Sequence, residues 1–238
     1  MTVWKLLNTG TNIGAYNMAV DEEFLMRAQT GETMPVLRFY GWDPPAVSIG
    51  RFQKIGTAVD TDACKRYGID IVRRITGGRA VLHCKELTYS LVARTDNPLF
   101  PSDVLGTYRV IATCLISGLK NLGIPAEMVA RGGRHAALVK KQTKDSACFS
   151  SPSWYEIVVK GKKIIGSAQR RLSGAFLQHG SILMDFDPCI EAKVIPGARV
   201  NDLVTSIKRE LGYHIPHKEV MDAFANGFTA TLGIELRT

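Results

Sequence analysis

The chain has 238 residues, 45% of them hydrophobic and 22% charged, with a net charge of +8. This is ordinary for a folded protein and is read as one domain over residues 1–238. The longest apolar helical run, Val110 to Leu119, is too short to span a bilayer, and Met1 to Asn12 has no signal-peptide core, so a cytoplasmic protein with no membrane partner is expected.

Helical spacing of Ala15, Met18, Val20, Phe24, Leu25 and Ala28 predicts a helix over Ala15 to Ala28. Val36 to Tyr40 and Ala46 to Gly50 read as strands joined by the turn signal Gly41-Trp42-Asp43-Pro44-Pro45. Asp60 or Thr61 caps a short helix ending near Gly68, and Ile69 to Arg73 follows as a buried strand. Ser102 is the expected cap of a long helix that Gly123 stops after Leu122. Arg131 to Lys144 contains no acidic residue and reads as a basic loop suited to steering an acidic partner. Tyr155 to Val159 and Lys163 to Gln169 form a hairpin around Lys160-Gly161-Lys162. Ala175 to His179 and Ser181 to Phe186 read as a second, hairpin-like pair. An amphipathic helix over His217 to Leu232 and a strand over Ile234 to Arg237 close the chain. Without a regular βαβα alternation, the pattern points to an α+β domain with antiparallel or mixed sheets.

Four stretches could carry chemistry. In Arg73-Arg74-Ile75-Thr76-Gly77-Gly78-Arg79, leading to His83, a strand enters a Gly-Gly loop whose backbone can approach a ligand and whose arginines can bind oxygen atoms. The spacing is neither a Walker A loop nor G-x-G-x-x-G; a simple turn with solvated arginines is the alternative. Cys148 follows the basic loop among small residues, a setting that favours exposure and partial ionisation. Cys64, Cys114 and Cys189 lack such a setting, and no C-x-x-C pair or disulfide framework is present, so no metal site is expected. Cys84 is the rival nucleophile, but its neighbour His83 should point to the opposite face of the strand. Lys163 opens a strand of small residues, Gly166, Ser167 and Ala168, that leaves room for a ligand chain; alone, it would also suit a surface hairpin. His179 and Gly180 form a further short motif, otherwise readable as a bulge or turn.

Together these stretches resemble the lipoate and biotin protein ligase superfamily, closest to its cysteine-dependent octanoyltransferases. The matching residues include Phe39-Tyr40-Gly41-Trp42, Arg73-Arg74-Ile75-Thr76-Gly77-Gly78-Arg79, Glu86-Leu87-Thr88-Tyr89-Ser90 and Gln178-His179-Gly180-Ser181. The stretch from Cys148-Phe149 through Pro152-Ser153-Trp154-Tyr155-Glu156 is specific to the transferase branch. The resemblance implies a catalytic domain with two mixed sheets flanked by helices. It implies that Cys148 takes octanoyl from acyl carrier protein and passes it to a lipoyl domain, such as glycine cleavage H protein or a dehydrogenase E2 subunit. Lys163 matches the lysine placed beside the acyl carbonyl. The substrate site is expected at Arg73, Arg74, Thr76, Gly77, Gly78, Arg79, His83, Gly166, Ser167, Ala168, His179 and Gly180. Arg79 replaces the third glycine usual in ATP-using ligases, and there is no sequence for their accessory domain, so neither ATP nor another cofactor is expected. Octanoyl exchange between lipoyl-type proteins, ATP-dependent ligation and a non-catalytic basic binding module are the alternatives; no groove-reading helix or stacking aromatics support nucleic acid.

Overall fold

The computed structural model describes residues 2–129, 156–198 and 203–238. The basic run at 131–144, Cys148 and the transferase stretch up to Tyr155 lie outside them. The chain begins with β1 (Thr2–Asn12), α1 (Gly14–Thr30), β2 (Val36–Trp42) and β3 (Ala46–Ile49). Short helices α2 (Ile55–Ala58) and α3 (Thr61–Arg66) precede β4 (Asp70–Arg73), β5 (Val81–His83) and β6 (Glu86–Arg94). Helix α4 (Val104–Asn121) leads into β7 (Glu127–Met128). Strands β8 (Ile157–Val159), β9 (Lys162–Arg171) and β10 (Ala175–Leu183) are followed by α5 (Pro188–Val194), α6 (Ile207–Leu211), α7 (His217–Leu232) and β11 (Ile234–Arg237).

Among the described residues the strands form a larger sheet, ordered β11-β1-β2-β6-β10-β9-β8-β7, and a smaller one, β4-β3-β5. Both are mixed: β1 runs parallel to β11 and β2, and β3 parallel to β4, while β2–β6, β6–β10 and β3–β5 are antiparallel. The expected α+β class, with two mixed sheets flanked by helices, is the architecture of this chain.

Alternation along β10 sorts the layers. Phe176 and Ile182 enter a large core with Trp4, Phe39, Tyr89, Phe224 and Phe228, which α4 and α7 close. Ala175 and Leu177 face the other way, onto Leu25 and Ala28 of α1. The smaller sheet has its own core, where Val47, Ile49 and Leu82 meet Cys64, Val194 and Ile195. Helices α2, α3 and α5 therefore serve the small sheet, and the space between the sheets stays available for a ligand.

Four expectations change. The strands on either side of Gly41 to Pro45 belong to different sheets rather than to one hairpin. Residues 69–73 supply an edge strand, with Asp70 and Arg73 exposed, because β4 pairs only with β3. The long helix is capped by Asp103, not Ser102: its carboxylate accepts the Gly106 N–H at 2.7 Å. The pair expected around Gly180 is one continuous strand, and Gly180 is there for space. A Cβ on it would lie 2.5 Å from the Gly166 carbonyl oxygen and 2.7 Å from the Tyr89 ring. The Lys160-Gly161 hairpin is as expected, with φ of 49° and 78°, the positive values of a type I′ turn.

Helices α4 and α7 touch through Gly118 and Gly227; a Cβ on Gly227 would sit 2.5 Å from Gly118 N and 2.7 Å from the Cys114 carbonyl oxygen. Gly227→Ala gains about 1 kcal/mol of helix propensity. Pushing two backbones apart costs about 1–3 kcal/mol and should outweigh that gain. We expect a lower urea midpoint for Gly227→Ala; an equal or higher midpoint would show that the helices separate without cost.

Candidate active site

The two sheets and α1 enclose an open-mouthed cavity. Gly166 and Ala168 of β9 and Gly180 of β10 form a flat wall of small residues, and Met18 and Val81 add apolar surface. Such a slot fits an unbranched apolar chain lying against the backbone.

The polar groups around this slot mostly bond to one another. Arg74, 4% exposed, is their junction. Its Nη2 donates to the carbonyl oxygens of Gly77 (2.8 Å) and Arg79 (2.7 Å), which folds the Gly-Gly loop around the guanidinium. Its Nε donates to Thr76 Oγ1 at 3.2 Å, and Thr76 Oγ1 lies 2.8 Å from His179 Nε2. His179 Nδ1 reaches Asp21 Oδ2 at 2.9 Å, and Asp21 also accepts from Arg38 (2.8 Å) and Tyr40 (2.9 Å). A second arm leaves Arg74 through Nη1 to Ser48 Oγ at 3.0 Å, and Ser48 Oγ lies 2.8 Å from His83 Nε2. His83 Nδ1 is 3.4 Å from Glu86 Oε1, which also accepts from Thr88 at 2.7 Å. Trp42 donates to Thr88 at 2.8 Å and stacks on His83 with ring centroids 3.9 Å apart. The histidine tautomers with a proton on Nδ1 satisfy every contact in both arms.

Burial drives the Asp21 carboxyl upward, but the hydrogen bond and charge of His179 and the charge of Arg38 outweigh it and hold Asp21 below the usual carboxylate range. Burial holds His83 below its ordinary value, against the pull of Glu86, so His83 is neutral at pH 7. Burial, together with the negative Asp21, pushes Tyr40 well above its ordinary value and keeps it a donor. Ser181 lines the cavity, and its buried Oγ has no hydrogen-bond partner among the described residues.

Lys163 is not a surface lysine. It is 2% exposed, and its Nζ lies 2.5 Å from Glu156 Oε1. Its peptide group is also held on the far side, donating to the Leu203 carbonyl at 2.8 Å and accepting from the Thr205 N–H at 2.9 Å. Glu191 of α5 adds a second buried carboxyl: burial raises it, the charge of Lys163 pulls it partly back, and it stands at about 7. Three residue steps along β9 take the chain from Lys163 to Gly166 in the cavity wall, about 10 Å of strand.

Of the expected site residues, Arg74, Gly78, His83, Gly166, Ser167, Ala168, His179 and Gly180 line one cavity. Thr76, Gly77 and Arg79 stand just behind it as partners of Arg74 and His179. Arg73 points elsewhere; its Nη1 donates to the carbonyl oxygens of Gly50, Arg51 and Gln53. Cys148 lies outside the described residues. Burial raises the thiol pKa of Cys64 and Cys84 and takes Cys114 to about 12. Among the described residues, no three His, Cys, Asp or Glu side chains gather as a metal site would need, and no helix is long and apolar enough to cross a membrane.

Residues 14–229 match the model of the lipoyl protein ligase A/B catalytic domain. The chain belongs to that family. An octanoyltransferase LipM of Kyrpidia tusciae is 45% identical, over 99% of this chain and 89% of the relative; one of Staphylococcus aureus is 42% identical, over 98% and 88%. Among solved structures, a lipoate-protein ligase A bound with ATP aligns with a TM-score of 0.80 at 29% identity, covering 99% of this chain and 87% of that one. The bipartite lipoate protein ligase of Thermoplasma acidophilum aligns at 0.76 and 26%, covering 100% and 86%.

Within this lipoyl protein ligase A/B catalytic domain, sequence reasoning passed over Asp21, Arg38, Ser48 and Glu191. The signal for Asp21 was present: Asn17, Asp21, Leu25 and Ala28 form the buried face of α1, with polar residues leading that face where apolar ones were expected. Glu191 gives a pH test. Its folded value of about 7 lies above its ordinary 4.5, so between these values the folded state holds a proton that the unfolded state has released. Stability from this group is therefore lost as pH rises from about 4.5 to 7. Glu191→Gln removes the effect, and its advantage over wild type should grow across that window to about 3 kcal/mol at most. Urea titrations at pH 5 and pH 8 that give the same difference would contradict this assignment.

Proposed function

We propose that this protein is an octanoyltransferase of lipoate biosynthesis that carries octanoyl from acyl carrier protein, through a thioester on Cys148, to the lysine of an apo lipoyl domain. The observation that carries the reading is the relationship, over 98–99% of the chain and at 39–45% identity, to proteins named octanoyltransferase LipM. The slot of Gly166, Ala168 and Gly180 suits an unbranched acyl chain. Raised thiol pKa values at Cys64, Cys84 and Cys114 favour a nucleophile elsewhere.

The Cys148 thiolate attacks the donor thioester carbon, and the carrier's thiol leaves with the proton. The acceptor amine then attacks the acyl-cysteine, loses its proton and expels the thiolate, leaving an amide. The first exchange is nearly isoenergetic and amide formation is downhill, so the transfer needs no ATP. Lys163 supplies the positive charge that stabilises the thiolate and the oxyanion. Glu156 and Glu191 hold that charge in the buried site. The Gly78 backbone and the Ser181 hydroxyl add polar groups at the cavity.

Intact mass spectrometry with octanoyl-acyl carrier protein and no acceptor should show one octanoyl group on Cys148, labile to hydroxylamine. Cys148→Ala should lose both adduct and turnover, while Cys84→Ala keeps them. An adduct that maps to Cys84 would overturn the assignment. Lys163→Ala should slow acylation by roughly 10²-fold, and Lys163→Arg should not restore it, since a planar fork replaces a compact ammonium. Omitting ATP and magnesium should leave transfer unchanged. Release of AMP from octanoate or lipoate and ATP by the chain alone would replace this reading with ligation; the donor octanoyl-H protein working where the carrier fails would replace it with exchange between lipoyl-type proteins.

A further inference from the structure

The segment between β3 and α2 carries an aromatic ring that the fold holds outward. Phe52 is 82% exposed, and Ile55, three residues on, is 45% exposed. A single exposed apolar side chain is ordinary. Here, though, the backbone beneath it is fixed. Arg73 Nη1 donates to the carbonyl oxygens of Gly50 at 3.0 Å, Arg51 at 2.9 Å and Gln53 at 2.8 Å, which bracket Phe52. The Gly50 N–H donates to Gln53 Oε1 at 3.0 Å, and the Arg51 N–H to the Thr76 carbonyl at 2.9 Å. The loop is seated on the cavity's rim: a Cβ on Gly50 would lie 2.0 Å from the carbonyl oxygen of Gly78, which lines the cavity. Arg51 and Lys54 flank the ring, and residues 44–59 contain no Asp or Glu.

An aromatic anchor on a fixed backbone, ringed by positive charge, is the composition of a protein-docking hot spot, because little backbone entropy remains to be lost on binding. Its place on the rim selects the partner. The octanoyl donor presents its thioester at the end of a long phosphopantetheine arm and can dock at a distance. An acceptor lysine has only a four-carbon stem, so its domain must come up to the rim.

Resting on the octanoyl-transfer reading, we propose that Phe52, with Arg51 and Lys54, is the docking surface for the acidic lipoyl-domain acceptor. Phe52 fills an apolar spot beside the acceptor lysine, and the two cations meet carboxylates around it. The charged contacts act mainly on the rate of encounter, and the ring acts on residence.

The test separates the half-reactions. Phe52→Ala changes an exposed side chain, so its urea midpoint should match wild type. With octanoyl-acyl carrier protein alone, its rate of self-acylation should equal that of wild type. Transfer from preformed acyl-enzyme should show a KM for apo lipoyl domain raised roughly tenfold, the effect of about 1.4 kcal/mol of lost binding. Arg51→Ala should raise the same KM and flatten its salt dependence. An unchanged KM in Phe52→Ala would overturn the proposal. Slowed self-acylation with normal transfer would also overturn it, by giving the surface to the donor. Should wild type form no acyl-enzyme, the octanoyl-transfer reading fails. Calorimetric titration of apo lipoyl domain into wild type and Phe52→Ala then still decides the docking surface, weaker binding by the variant supporting it and equal binding overturning it.

Discussion

A carboxylate removed from water must be surrounded by donors, and Asp21 meets that demand with three side chains from two strands. Arg38 and Tyr40 of β2 and His179 of β10 all converge on it from the large sheet, while Asp21 itself belongs to α1. Breaking a buried pair such as Asp21–Arg38 costs about 3–5 kcal/mol, so these elements are held in one arrangement. His179 then passes the constraint to Thr76, and through it to Arg74, in the loop of the other sheet. The spacing between the sheets, and with it the width of the cavity, follows from this chain of contacts rather than from apolar packing alone.

The same network decides what the cavity offers a ligand. Ser48, Arg74, Thr76, His83 and His179 would make a polar pocket if they were unpaired, yet each is bonded within the two arms. Small and apolar surfaces remain to face the slot. Charge is concentrated instead at Lys163, where two carboxyls and a lysine share a dry site. An apolar slot and a buried positive charge thus fall to separate parts of β9.

Local pattern carried much of this into the sequence. Helix α7 and strand β11 have the bounds that their amphipathic spacing and Gly233 indicate. The Gly77-Gly78 loop was legible because glycines and arginines together are uncommon in a plain turn. Gly180 misled, since glycine in a strand marks either a break or a close approach, and only the Tyr89 ring in the third dimension tells which. Asp21 and His179 are 158 residues apart, and no local periodicity encodes that meeting. Glu191 looked like any acid of a short helix, because its burial depends on α5 packing beneath the small sheet.

The double anchoring of the Lys163 peptide group has a consequence for substrate length. Pairing with Val158 on one side and with Leu203 and Thr205 on the other leaves β9 no freedom to slide. From Lys163 to Gly166 and Ala168 the strand spans about 10 to 17 Å. That interval is a built-in ruler, laid between the charged end of the site and its apolar wall. Were the acyl chain to lie along β9 as proposed, selectivity for its length would be a matter of β-sheet register, and a shift by one residue would recalibrate it and turn its face away at once.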